Sequence, residues 1–340
     1  MEDNPHPAKI LVIQTAFLGD VVLATAVLEK LHQYFPDAQI DFVLRKGNEG
    51  VLSSHPFLHN LLVWDKKQQK IKNLFRLAKT IRRTHYDVVV NLHRHFSAGF
   101  LTVFSGAKKT IGFDKNPLSL IFSEKIKHCF SGKHETERNQ LLIAAMTDDL
   151  PAKPKIYPSK ADFDAVFLLK HNEEGVLKKY ICIAPASMWA TKQFPVKQWI
   201  NMLRLPQFQS YIIYLLGAPV DWDVSEQIKT ALPQLSIENI TGKLSPLASA
   251  ALMRDAAMNY VNDSAPMHLA SAMDAPVTAI YCSTLPAFGY GPLSTVSHTV
   301  QVEQVLACRP CGIHGHRHCP QTHFNCAYQI DLQQLVNVLC

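Results

Sequence analysis

The chain has no uninterrupted apolar stretch near the roughly 18 residues that a bilayer-crossing helix needs. Residues 211–216 are strand-sized, and residues 96–107 are broken by Ser97, Gly99, Thr102, Ser105 and Gly106. Residues 1–7 are polar, hold two prolines and lack the basic start and apolar core of an export signal. The expectation is a cytoplasmic protein. No short-period repeat is visible, and the first strand-to-helix turn carries one glycine where a dinucleotide fingerprint needs three. Acids are scarce in one half: residues 9–146 hold 20 Lys/Arg against 11 Asp/Glu, and the remainder holds 14 against 17. A basic first half suits either an anionic partner or a solubilising surface.

What is present is ample for two cores. The 340 residues fit two domains of about 150 each, and 47% apolar content excludes a disordered chain. Lys9-Ile-Leu-Val-Ile-Gln14 reads as a buried parallel strand, and residues 20–31 as the helix after it. Further strands are expected at residues 39–44, 60–64, 86–92 and 110–112, with a long helix before residue 86. After a Pro-containing segment at residues 150–158 the rhythm restarts. Strands are expected at residues 180–184, 211–216, 237–240, 259–261 and 277–281, with helices between them and a terminal helix at residues 332–339. The predicted class is α/β, two Rossmann-like doubly wound parallel-sheet domains facing a central cleft, spanning residues 1–165 and 166–340.

The chemistry-bearing residues lie where strands end. Gly19-Asp20 falls at the first strand-to-helix turn, where Asp20 is either an N-cap or a general base that accepts a proton from a hydroxyl. In the second half, Lys192 is placed to neutralise a diphosphate, and Ser187 and Thr191 to add hydroxyl donors. Gly217 ends another strand. Asp263 and Ser264 enter a helix whose N-terminus suits phosphate, and His268 stands one turn further in. Each also has an ordinary role as cap, solvated lysine or packed histidine. Arg94 and Ser97 follow a strand end as weaker substrate contacts.

Residues 66–83 contain eight Lys/Arg and no acid. Ile71, Leu74, Phe75, Ala78 and Ile81 recur at helical spacing. A sheet-covering helix with a solvated face is one reading, and attraction to anionic head groups or phosphates is the other. Nucleic acid is excluded as a partner, because aromatic stacking residues are not interleaved and no reader motif is present. Cys308, Cys311, Cys319 and Cys326 cluster among several histidines, which fits structural zinc, reduced thiols or disulfides. Cys182 and Cys282 read as core residues.

Taken in order, Lys9-Ile-Leu-Val-Ile-Gln-Thr-Ala-Phe-Leu-Gly-Asp20, Tyr86-Asp-Val-Val-Val-Asn-Leu92, Ile111-Gly-Phe113, His134-Glu-Thr-Glu-Arg138, Lys192-Gln-Phe-Pro195 and Asn262-Asp-Ser-Ala-Pro-Met-His268 resemble the ADP-heptose:lipopolysaccharide heptosyltransferases, glycosyltransferase family 9, heptosyltransferase II-like members above all. The resemblance implies a GT-B fold, an ADP-heptose donor on the C-terminal domain and a lipopolysaccharide inner-core acceptor on the N-terminal one. It implies metal-independent inverting transfer with Asp20 as base, Gly19 beside the acceptor, and Lys192, Asp263, Ser264 and His268 on the donor. The basic residues 66–83 add the expectation of a peripheral position on the cytoplasmic face of the inner membrane. Three positions depart from the pattern: Ala265 replaces a glycine, Pro219 a glutamate, and Gln14 a lysine.

Overall fold

The computed structural model describes residues 7–130 and 132–339. The polar start at residues 1–6 and Cys340 lie outside the described residues. The chain divides into two compact units, one ending at Tyr157 and one beginning at Pro158.

The N-terminal unit is built on β1 (Lys9–Ile13), β2 (Gln39–Arg45), β3 (Leu58–Trp64), β4 (Val88–Asn91), β5 (Lys109–Phe113) and β6 (Glu124–Ile126). All pair in parallel in the order β3-β2-β1-β4-β5-β6. Ile10, Leu11, Val12 and Ile13 are fully buried, so β1 needs apolar side chains on both faces. Each such side chain contributes about 1.5–3 kcal/mol of burial, enough to fix the central strand against its neighbours. Helices α1 (Leu18–Tyr34), α2 (Lys70–Thr84), α3 (Phe96–Val103) and α4 (Glu135–Gln140) cover the sheet. Leu77, Ala78 and Ile81 of α2 share a core with Leu11, Ile13, Val43 and Trp64.

The C-terminal unit repeats the plan. Helices α5 (Lys160–Ala165) and α6 (Phe167–Lys170) lead into β7 (Tyr180–Ala184), α7 (Val196–Leu203), β8 (Ile212–Leu215), α8 (Trp222–Thr230), β9 (Ile237–Asn239) and α9 (Pro246–Arg254). Strand β10 (Asn259–Asn262), α10 (Ala265–Ala272), β11 (Val277–Tyr281) and β12 (Ser297–Gln301) follow, then short helices α11 (Asn325–Tyr328) and α12 (Gln333–Val336). Its parallel sheet runs β12-β11-β10-β7-β8-β9. Helix α5 belongs here, although the sequence reading put residues 158–165 with the first domain. Asp162 accepts a hydrogen bond from Ser245 at 2.9 Å, and Arg254 sits 4.5 Å over the Phe163 ring.

In both sheets the strand order reverses direction beside the first strand, between β1 and β4 and between β7 and β10. Chain leaving these strands diverges to opposite faces, which opens a crevice at their carboxyl ends. No helix among the described residues is long and apolar enough to cross a membrane.

Candidate active site

At the crevice of the N-terminal unit, the loop after β1 carries Asp20 into the first turn of α1. The half-buried carboxylate accepts a hydrogen bond from the Phe17 N–H at 3.0 Å, closing the helix start upon itself. Burial raises its pKa from 3.8 to about 6, and the charge of Glu135 adds to the rise. Backbone N–H groups and Arg45 oppose it. The result is a carboxylate that is mostly ionised at neutral pH yet a stronger base than a solvated aspartate. Gly19, immediately before it, is buried in the same turn.

Around this loop the fold gathers cations that the linear sequence does not show together. The Lys66 ammonium donates to the Thr15 carbonyl at 2.7 Å, and burial followed by Arg45 lowers its pKa to about 8. The Arg45 guanidinium lies 4.5 Å over the Phe17 ring. His93 shares a 2.8 Å hydrogen bond with the Thr15 hydroxyl, and burial beside His95, Lys66, Arg94 and Arg45 drives its pKa down to about 3. A neutral imidazole therefore stands among three cations. Arg94 packs 5.4 Å over Phe130, and Ser97 opens α3 just beyond it. Gln14 uses its side-chain oxygen to accept from the Ala16 N–H at 3.2 Å, so Lys66 supplies the cation beside this loop.

The segment His134-Glu-Thr-Glu-Arg138 has a local explanation. His134 caps α4, and Arg138, only 1% exposed, donates to Glu135 through Nε at 2.9 Å and Nη2 at 2.6 Å. Helix α4 packs on α1, which is how Glu135 comes to influence Asp20.

In the C-terminal unit, Lys192 and Asp263 come together at the switch between β7 and β10. Their side chains form a 2.6 Å ion pair, 15% and 9% exposed, and Asp263 also accepts from the Thr284 hydroxyl at 2.7 Å. Asn262 ties the two loops, accepting from the Phe194 N–H at 2.8 Å and donating to the Pro185 carbonyl at 2.8 Å. Ser264 is the N-cap residue of α10, and its hydroxyl donates to the Asn262 carbonyl at 3.3 Å. His268 is buried one turn inside α10, and Ser187 lends its carbonyl to Gln193 at 2.6 Å. Gly217 is confined: a Cβ there would meet Asp221 Oδ2 at 3.0 Å and Thr241 at 3.2 Å. Pro219 lies against Gly242, whose positive φ and close approach leave no room for a larger residue.

Thr191 is tied to the C-terminal tail through its oxygen, while its own O–H is engaged by neither bond. Its buried hydroxyl oxygen accepts from the Ser283 hydroxyl at 3.0 Å and the His316 N–H at 2.7 Å, and its own N–H donates to the His316 carbonyl at 3.1 Å. The histidine-rich tail thus straps the lysine loop. Gly315, at φ +74°, permits the approach, since a Cβ would stand 2.8 Å from the Thr191 hydroxyl and 3.3 Å from Lys192 Cγ.

Cys308, Cys311, Cys319 and Cys326 are free thiols, and among the described residues no group of three or more His, Cys, Asp or Glu is arranged to hold a metal. Cys326 is committed to the hydrophobic core, where burial pushes its thiol up to about 11. The Cys311 thiol donates to the Cys308 carbonyl at 3.2 Å, and Cys308 Sγ is 4.0 Å from His323 Nε2.

The sequence profile of glycosyltransferase family 9 (heptosyltransferase) matches residues 74–324. The chain belongs to that family. It is a glycosyltransferase. Over 312 residues it is 24% identical to the lipopolysaccharide core heptosyltransferase OpsX of Haemophilus influenzae, spanning 90% of this chain and 88% of the relative. It is 26% identical to lipopolysaccharide heptosyltransferase 3 of Escherichia coli K12, over 78% of this chain and 80% of that one. The solved ADP-heptose lps heptosyltransferase II of Escherichia coli superposes with a TM-score of 0.76 at 21% identity, covering 97% of this chain and 98% of that one. At that identity the superposition establishes the shared two-domain α/β fold of the glycosyltransferase.

Proposed function

We propose that this family 9 enzyme transfers heptose from ADP-heptose to a hydroxyl of the lipopolysaccharide inner core, with inversion at the anomeric carbon. The N-terminal unit holds the acceptor and the C-terminal unit the donor. The observation that carries the mechanism is Asp20: a carboxylate in the turn that follows the central strand, raised to about 6 by burial and the charge of Glu135, with Arg45 as its cationic neighbour. Its oxygen takes the proton of the acceptor hydroxyl as that hydroxyl oxygen bonds to the anomeric carbon. The bond from that carbon to the diphosphate breaks on the opposite side, and ADP departs with the electron pair. Lys192 exchanges its Asp263 partner for the diphosphate, and Ser264 with the N-terminus of α10 adds donors, so charge compensation is met by the chain's own groups. Ser187, Gly217 and His268 complete the donor side, and Gly19, Arg94 and Ser97 the acceptor side. Arg45 and Lys66 extend the acceptor side, where their charge suits an anionic sugar. The reaction is assigned in this proposal to the cytoplasmic face of the inner membrane, a reading supported by the lipopolysaccharide-directed relatives.

Ala265 and Pro219 favour a second reading, the same transfer from another nucleotide sugar. A donor screen separates them. ADP release from ADP-heptose that requires a heptose-deficient acceptor supports the first reading. Release only from ADP-mannose or from UDP- or GDP-sugars overturns the heptose assignment.

A further inference from the structure

Helix α2 has a surface that neither its sheet nor the Asp20 site uses. Leu77, Ala78 and Ile81 point into the core, but Ile71 and Phe75, one turn apart, are 70% and 58% exposed. The Phe75 ring meets Phe100 edge-on at 5.2 Å, and Phe100 packs at 4.4 Å on Phe104, itself 48% exposed at the end of α3. These contacts join two helices into one apolar ridge. Beside it, at helical spacing, stand exposed Lys72, Arg76 and Lys79, none of which is ion-paired with an acid among the described residues, and α2 contains no acid at all. Exposed Ile and Phe have no reward in water, and an unbalanced cationic row repels itself. Both are stabilised at one kind of surface, where ammonium and guanidinium groups meet phosphates while the apolar ridge enters the head-group boundary. A nucleic acid would satisfy the cations but leaves Ile71 without a stacking partner.

We propose that the α2–α3 face of the N-terminal unit docks on an anionic phospholipid bilayer. The inference deepens the proposed lipid-borne acceptor, and it is read out without turnover. The test is co-sedimentation of the full chain with vesicles of phosphatidylethanolamine and phosphatidylglycerol, against phosphatidylcholine alone. Each cation near an anionic leaflet is worth about fivefold in partitioning, so Lys72→Gln/Arg76→Gln/Lys79→Gln lowers binding to anionic vesicles roughly a hundredfold. Ile71→Ser/Phe75→Ser lowers it at least about tenfold, and this loss persists at high salt. Both variants keep wild-type turnover on a deacylated acceptor, which also shows that they fold. Unchanged partitioning in both variants overturns the proposal, as does wild-type binding to a single-stranded oligonucleotide without binding to anionic vesicles. Vesicle binding that behaves as expected, in a protein with no heptose transfer, leaves the docking surface standing and removes the heptose reading alone.

Discussion

Replacing Asp20 by asparagine should trade activity for stability, and the pH dependence of each follows from one number. The carboxyl pKa rises from 3.8 to about 6 in the folded chain, so the ionised form opposes folding. At 1.36 kcal/mol per unit, a shift of about two units costs about 3 kcal/mol at neutral pH. The sign is that of a raised acid: the stability present below about pH 4 is lost as pH climbs through 6. Asp20→Asn escapes this loss. Denaturant unfolding should therefore find the variant more stable than wild type at pH 8 by up to about 3 kcal/mol, with the gap closing below pH 4. Activity runs the other way, since a base must be ionised. Wild-type kcat/KM should rise with pH to a plateau, with an inflection near 6 and about a tenfold lower value at pH 5 than at pH 7. A stability gap independent of pH, or an inflection at the ordinary carboxylate value, would refute this reasoning.

Three further outcomes follow from the same geometry. Glu135→Gln should move the pH–rate inflection downward, because the Glu135 charge helps raise Asp20, and should destabilise the fold by about 1–3 kcal/mol, because buried Arg138 loses its charged partner while keeping its bond to the Lys133 carbonyl. Lys192→Ala should lower kcat/KM by about 2–3 kcal/mol, with isothermal titration showing weaker binding of ADP as well as of ADP-heptose. Gly315→Ala, far along the chain, should raise the donor KM and cost about 1–3 kcal/mol of stability, since its Cβ collides with the Thr191 hydroxyl at a positive φ. A donor KM unchanged in that variant would show that the strap does not position the lysine loop.

The central strands were legible because parallel strands buried on both faces must be apolar throughout, as in Ile10 to Ile13 and Ile181 to Ala184. Strands β6 and β12 were not foreseen. They lie at sheet edges with polar residues such as exposed Lys125 and half-buried His298, and present no apolar run. The long basic helix was visible in its spacing, although the structure begins it at Lys70. Site residues that follow directly from a strand end, Asp20 and Lys192 among them, could be marked from local pattern. Arg45, Lys66, His93 and Glu135 could not, since they reach the Asp20 loop from four separate segments and only the packing of β2, β3, β4 and α4 brings them together. The tie between Thr191 and His316 was equally hidden, because His316 contributes only its backbone N–H and carbonyl, 125 residues away, and these leave no side-chain signature. Lys192 and Asp263 were both marked, yet their 2.6 Å pairing was invisible without coordinates.

The most direct test of the account is the fate of ADP-heptose on wild-type and Asp20→Asn protein, with donor affinity and acceptor-dependent transfer measured on the same preparations. The account predicts that the variant binds the donor as wild type does and loses acceptor-dependent ADP release by at least about a hundredfold, the range of a removed general base. Transfer that survives Asp20→Asn at wild-type rate would contradict it.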